Sequence, residues 1–67
     1  MAYKNYSRVK LVSDKYKGEG APSGSIGYII EVYPDGNYEV EFSGPNGVSY
    51  AQIVAAENEL EPSPEPG

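Results

Sequence analysis

Between Gly24 and Phe42 the chain reads GSIGYIIEVYPDGNYEVEF, two runs of β-branched and aromatic residues divided by Pro34-Asp35-Gly36-Asn37. Turn formers between two such runs predict a β-hairpin. In the second run Tyr38, Val40 and Phe42 alternate with Glu39 and Glu41. A strand therefore turns the first three toward a core and the two glutamates toward water or a partner. The first run, Ser25 to Tyr33, is apolar in both phases, with Ile26, Tyr28, Ile30 and Val32 against Gly27, Ile29, Glu31 and Tyr33. It is either covered on both faces or carries a bulge at Gly27 that changes its phase. The bulge or a strong bend is favoured, because a long strand curls at least cost where there is no side chain.

The same alternation runs upstream. Val9 and Leu11 oppose Arg8, Lys10 and Val12, which predicts a first strand over Arg8 to Val12 with Val9 and Leu11 inward. Met1 to Ser7 is a polar lead-in that either frays or lengthens this strand. Ser13 to Gly24 mixes three glycines, a proline and charges of both signs, the marks of a long irregular loop. In a small domain such a loop is functional or is tied down by its own side chains. Tyr16 suits either role, as a ring over one end of the core or as an exposed contact.

Downstream, Ser43 to Gly47 is a second turn and Val48 to Ile53 a fourth strand. Val54 to Glu59 reads as a single 3₁₀ turn; its alanines allow a rival α-helix over Gln52 to Glu59, which would leave the third strand without a partner on its far side. Leu60 and Glu61 make a short closing strand with Leu60 in the core. Pro62 to Gly67, with a proline at every second position, is expected to be an extended mobile tail. The sum is an all-β chain: a small five-stranded SH3-like barrel over residues 8–61, with a long first loop and a 3₁₀ turn before the last strand.

Composition narrows what such a domain can do. At 67 residues a single core with no room for a second site-bearing domain is expected. Without cysteine or histidine there is no disulfide framework, thiolate metal site or imidazole base. None of the serines has a histidine to activate it, and Glu39 and Glu41, about 7 Å apart on a wet strand face, have no reason for split pKa values. An enzyme, a cofactor and a metal site are therefore not expected. No apolar run approaches the roughly 18 to 20 residues of a membrane span, and the N-terminus lacks a signal-peptide core, so the expected location is the cytoplasm.

The formal net charge of -5 is unevenly spread: all five bases lie in the first 17 residues beside one acid, and the other 50 residues hold nine acids and no base. That balance argues against nucleic acid as the main ligand. The acids either keep a small domain soluble or dock on a basic partner.

Two resemblances follow from these residues. Gly24, Gly27, Ile29-Ile30, Val32, Asp35-Gly36 and Tyr38 to Phe42 resemble the KOW and nitrile-hydratase-β-like group of SH3-like barrels. Over about Arg8 to Glu61 the chain is similar to a family of short uncharacterised bacterial proteins, classed only as a domain of unknown function, with a pattern like VxL…GxxGxxxEVY…YEVEF…G…L. Val9, Leu11, the Gly24 to Tyr33 stretch, YEVEF at Tyr38 to Phe42, Gly47 and Leu60 fit it. A looser likeness is to the small SH3-like peripheral subunit of photosystem I, whose long late-loop insertion is absent here. The family resemblance implies a small partner of a neighbouring gene product, as in toxin–antitoxin or immunity pairs.

The expected function is thus a non-enzymatic protein-binding module, an acidic inhibitor or immunity-type partner of a protein with a basic surface. Tyr16, Glu31, Tyr33, Glu39, Glu41 and Tyr50 are the expected contacts. The alternatives are a KOW-like RNA- or ribosome-associated module using the basic N-terminal third, and a peripheral subunit of a larger complex.

Overall fold

Both tight turns obey one chemical rule. Tyr33-Pro34-Asp35-Gly36-Asn37 and Gly44-Pro45-Asn46-Gly47-Val48 each place proline, then Asp or Asn, then glycine. In the computed structural model, which describes residues 3–64, Gly36 N–H donates to the Tyr33 carbonyl (3.2 Å) and Gly47 N–H to the Gly44 carbonyl (2.9 Å). The two glycines sit at φ 89° and 79°, left-handed values that cost a residue without Cβ little. Asp35 and Asn46 then accept the N–H two residues on, from Asn37 (3.1 Å) and Val48 (3.2 Å). The side chain thereby closes each turn a second time.

These turns join three of five strands: β1 (Arg8–Leu11), β2 (Ile26–Val32), β3 (Asn37–Ser43), β4 (Ser49–Ala56) and β5 (Leu60–Pro62). Single 3₁₀ turns occupy Lys17–Glu19 and Glu57–Glu59. Every neighbouring pair is antiparallel, in the order β4-β3-β2-β1-β5. The five strands, long first loop and 3₁₀ turn before the last strand are as expected; the hydrogen-bonded sheet stays open, with β4 and β5 at its edges. Strands from both ends of that order nevertheless share one core of Val9, Leu11, Ile29, Tyr38, Val40, Phe42, Ala51, Ile53, Ala55 and Leu60, joined by Tyr16 and Ala21 from the first loop. A sheet whose two edges meet in one core must curl. Among the described residues no helix is long and apolar enough to cross a membrane.

Pairing across β3 and β4 explains the alanines that suggested a helix. Phe42 lies opposite Ala51, Tyr38 opposite Ala55, and Val40 opposite Ile53. Small residues face the two rings, so β4 continues to Ala56, past the expected end at Ile53, and no helix forms. The bulge in β2 also differs from expectation. Ile29 pairs with Val40 but Glu31 with Glu39, which leaves Ile30 as the extra residue rather than Gly27. Gly27 is instead a close-approach position: a Cβ there would lie 2.6 Å from the Glu41 carbonyl oxygen and 2.7 Å from Phe42 Cδ1. The bulge moves Glu31 onto the face shared by Glu39.

The described residues before β1 and after β5 are fastened to the sheet. The Tyr3 ring packs edge-on against Tyr38 at 5.4 Å, and Tyr6 N–H reaches the Ile29 carbonyl at 2.6 Å, extending the ladder above β1. β5 takes in Pro62, one residue into the segment expected to be a tail. Ser63 N–H then donates to the Arg8 carbonyl (3.0 Å), and the Arg8 guanidinium reaches the Ser63 and Pro64 carbonyls. The rest of that segment, 65–67, lies outside the described residues.

Candidate protein-binding face

The outer face of β2, β3 and β4 is built in cross-strand rows. Tyr28, Glu41 and Gln52 form one row, and Glu31, Glu39 and Val54 the next. Strand alternation puts them there, since Gly27, Ile29, Val40, Phe42, Ile53 and Ala55 occupy the opposite face and are buried. Tyr28 is 38% exposed and Val54 49%, large apolar surface interleaved with carboxylates. Neither β2, β3 nor β4 contains a lysine or arginine.

Glu39 is the most constrained member. The Tyr33 hydroxyl donates to its Oε1 and the Gln52 amide to its Oε2. The Tyr33 bond first, then the Gln52 bond, hold Glu39 below the usual carboxylate range, while the bond to Glu39 pushes the Tyr33 phenol up. A carboxylate with both oxygens accepting from neutral donors is a fixed anion, suited to presenting charge. Glu31 stands directly opposite it across the β2–β3 pair, like charge against like, an arrangement that destabilises a sheet.

Of the expected contacts, Glu31, Glu39 and Glu41 share this face. Tyr33, paired with Asn37, stands on it too with its hydroxyl on Glu39, whereas Tyr50 lies at the opposite end of β3, beyond the Phe42–Ala51 pair. Roughly 17 Å of strand separates them, so Tyr28, Tyr33 and Tyr50 do not form one aromatic cluster. Tyr50 is 53% exposed, its ring 6.3 Å from that of Phe42. Of the two roles open to Tyr16 the structure shows the ring over the core, with only 7% of it accessible, so it is not an exposed contact. Tyr28, Gln52 and Val54 join the face through register alone; the sequence signal for them was their alternation with buried neighbours.

Arg8 stands directly opposite Tyr28 and continues that row onto β1, where the bases are partly engaged. Lys10 pairs with Glu61 at 3.2 Å, and Arg8 is held along the chain end. Among the described residues no cleft opens, and no three carboxylates converge as a cation site requires.

Comparison with known proteins places this geometry in a family. The domain of unknown function DUF4926 matches residues 6–62. The chain belongs to the DUF4926 family. Its matched region begins at Tyr6, where pairing beside β1 begins, and ends with β5. No curated protein and no solved structure matches this DUF4926 chain.

Proposed function

We propose that this DUF4926 protein is a non-enzymatic binding module whose outer β2–β4 face docks on the basic surface of another protein, in the manner of a small acidic inhibitor or immunity partner. The observation that carries this reading is the Glu31–Glu39 pair, set among exposed Tyr28 and Val54 with no base on the three strands. Like charges facing each other work against the fold, and a cationic partner relieves them. The tyrosine and valine supply contact area at modest entropic cost, while the glutamates steer encounter.

The test uses the full chain to isolate binding proteins, followed by calorimetry on each purified candidate. The expected partner is basic, its affinity falls with added salt, and Glu39→Lys with Glu41→Lys abolishes binding without unfolding the domain. A partner whose affinity ignores that double substitution would place the interface elsewhere. A salt-sensitive shift on adding RNA, mapped to residues 10–17, would favour the KOW-like alternative.

A further inference from the structure

The edge strand β4 carries no charge and no proline over SYAQIVAA; β1 has Arg8 and Lys10, β2 Glu31, β3 Glu39 and Glu41, and β5 Glu61. Natural sheets usually blunt such an edge with charge, proline or a covering segment. Here the covering is visible. Tyr33 N–H bonds to the Asn37 carbonyl, which turns the backbone groups of Asn37, Glu39 and Glu41 toward β2 and those of Tyr38, Val40 and Phe42 toward β4. The β4 residues opposite the latter are Ala55, Ile53 and Ala51. Gln52, Val54 and Ala56 therefore turn their backbone groups outward.

One of those outward groups is capped, and a second shares the same hydroxyl with the capping carboxylate. The Tyr16 hydroxyl lies 3.0 Å from the Val54 carbonyl and 2.7 Å from Glu59 Oε1, and the same Oε1 accepts Ala56 N–H at 2.9 Å. Farther along, a methyl on Gly20 would sit 3.8 Å from both the Tyr50 carbonyl and Ala51 Cβ. The first loop thus runs along the β4 edge as a strap, locked at Tyr16 and Glu59.

We propose that this strap guards β4 against pairing with the β4 of a second copy, and that releasing the Tyr16–Glu59 lock yields an antiparallel β4–β4 dimer. Self-pairing is the match charge selects. Any other strand laid against its own copy would bring like charges together, whereas β4 brings none over about 27 Å of edge. Glu57 and Glu59 stand past the end of β4, Glu59 as part of the lock itself, and Glu39 and Glu41 lie one strand behind in each copy. Three strand spacings, about 14 Å, separate them across the dimer, beyond the screening length of about 8 Å at physiological salt.

Sedimentation equilibrium from micromolar to millimolar chain tests this directly on wild type, Tyr16→Phe and Glu59→Gln. Expected are a monomeric wild type, variants whose mass rises toward two chains, and Gln52 and Val54 amides that gain exchange protection with concentration. Adding Gln52→Lys to Tyr16→Phe should restore the monomer by setting like charges at the new seam. Folded variants that remain monomeric, that dimerise with protection elsewhere, or whose β4 amides are protected only by a different protein overturn the proposal. Wild-type amide exchange is a second test independent of variant folding. The Glu19, Gly20 and Ala21 amides, bonded within the strap to Tyr16 and Lys17 carbonyls, should open before Val40 and Phe42; opening only with global unfolding overturns the idea of a releasable strap.

Discussion

Gly27 shows most plainly how one residue sets this structure. Its neighbours leave no room for a methyl group: the Glu41 carbonyl oxygen at 2.6 Å is backbone held in the β2–β3 ladder, and the Phe42 ring at 2.7 Å is fully buried. Neither can retreat without disturbing the core. Gly27→Ala is therefore expected to destabilise the domain by about 1–3 kcal/mol, the range for overpacking, seen as a lower urea midpoint with an unchanged slope. Gly18, around which no such atoms lie, should tolerate alanine. The sequence marked Gly27 as special but assigned it the wrong task. Glycine's lack of a side chain serves a bend and a ring packed overhead equally well, and only the position of Phe42 decides which.

At the scale of elements, the decisive unit is the join between the first loop, the end of β4 and the 3₁₀ turn at Glu57–Glu59. Ala56 has no side-chain acceptor for an N-cap, so only the Glu59 half of a capping box forms, its carboxylate accepting Ala56 N–H. That bond first, and the Tyr16 hydroxyl second, lower the Glu59 pKa from its ordinary 4.5. Tyr16 is pushed up from 10.0 to about 12, chiefly by burial and then by Glu59. A lowered carboxylate contributes stability above its unfolded pKa, lost as pH falls through the folded value; a raised phenol contributes below about pH 10, lost as pH rises toward 12. Wild-type urea midpoints should therefore fall on both flanks. Tyr16→Phe should lessen the alkaline flank and keep most of the acid one, because Ala56 N–H is the larger influence on Glu59. Glu59→Gln should lessen the acid flank, to which Glu39 also contributes, and an alkaline flank unchanged in Tyr16→Phe would contradict this assignment.

The whole molecule separates its charges more than its small size suggests. The bases of β1 are drawn to β5 and the chain end, through Lys10–Glu61 and the Arg8 contacts, while β2 to β4 present acids alone on their outer face. If that face is kept acidic for binding, removing a charge should help the fold and harm the function. Glu31→Gln is expected to raise the urea midpoint, by an amount that shrinks with added salt, and to slow association with a basic partner. A midpoint that drops on this substitution would show Glu31 to be a structural anchor instead.

Much of the architecture was legible in the chain because alternation with period two is a local signal. Val9, Leu11, Tyr38, Val40, Phe42 and Leu60 declared their inward direction, and the two Pro-Asx-Gly turns sit within a few residues of the strands they join. What depended on register was not legible. The bulge at Ile30 and the alanines facing Tyr38 and Phe42 both hinge on which residue of a distant strand lies opposite. A shift of one residue exchanges the faces of a strand. Sequence alternation thus determined that acidic residues would share an outer face, while tertiary pairing decided which apolar groups stand among them and which edge the first loop covers.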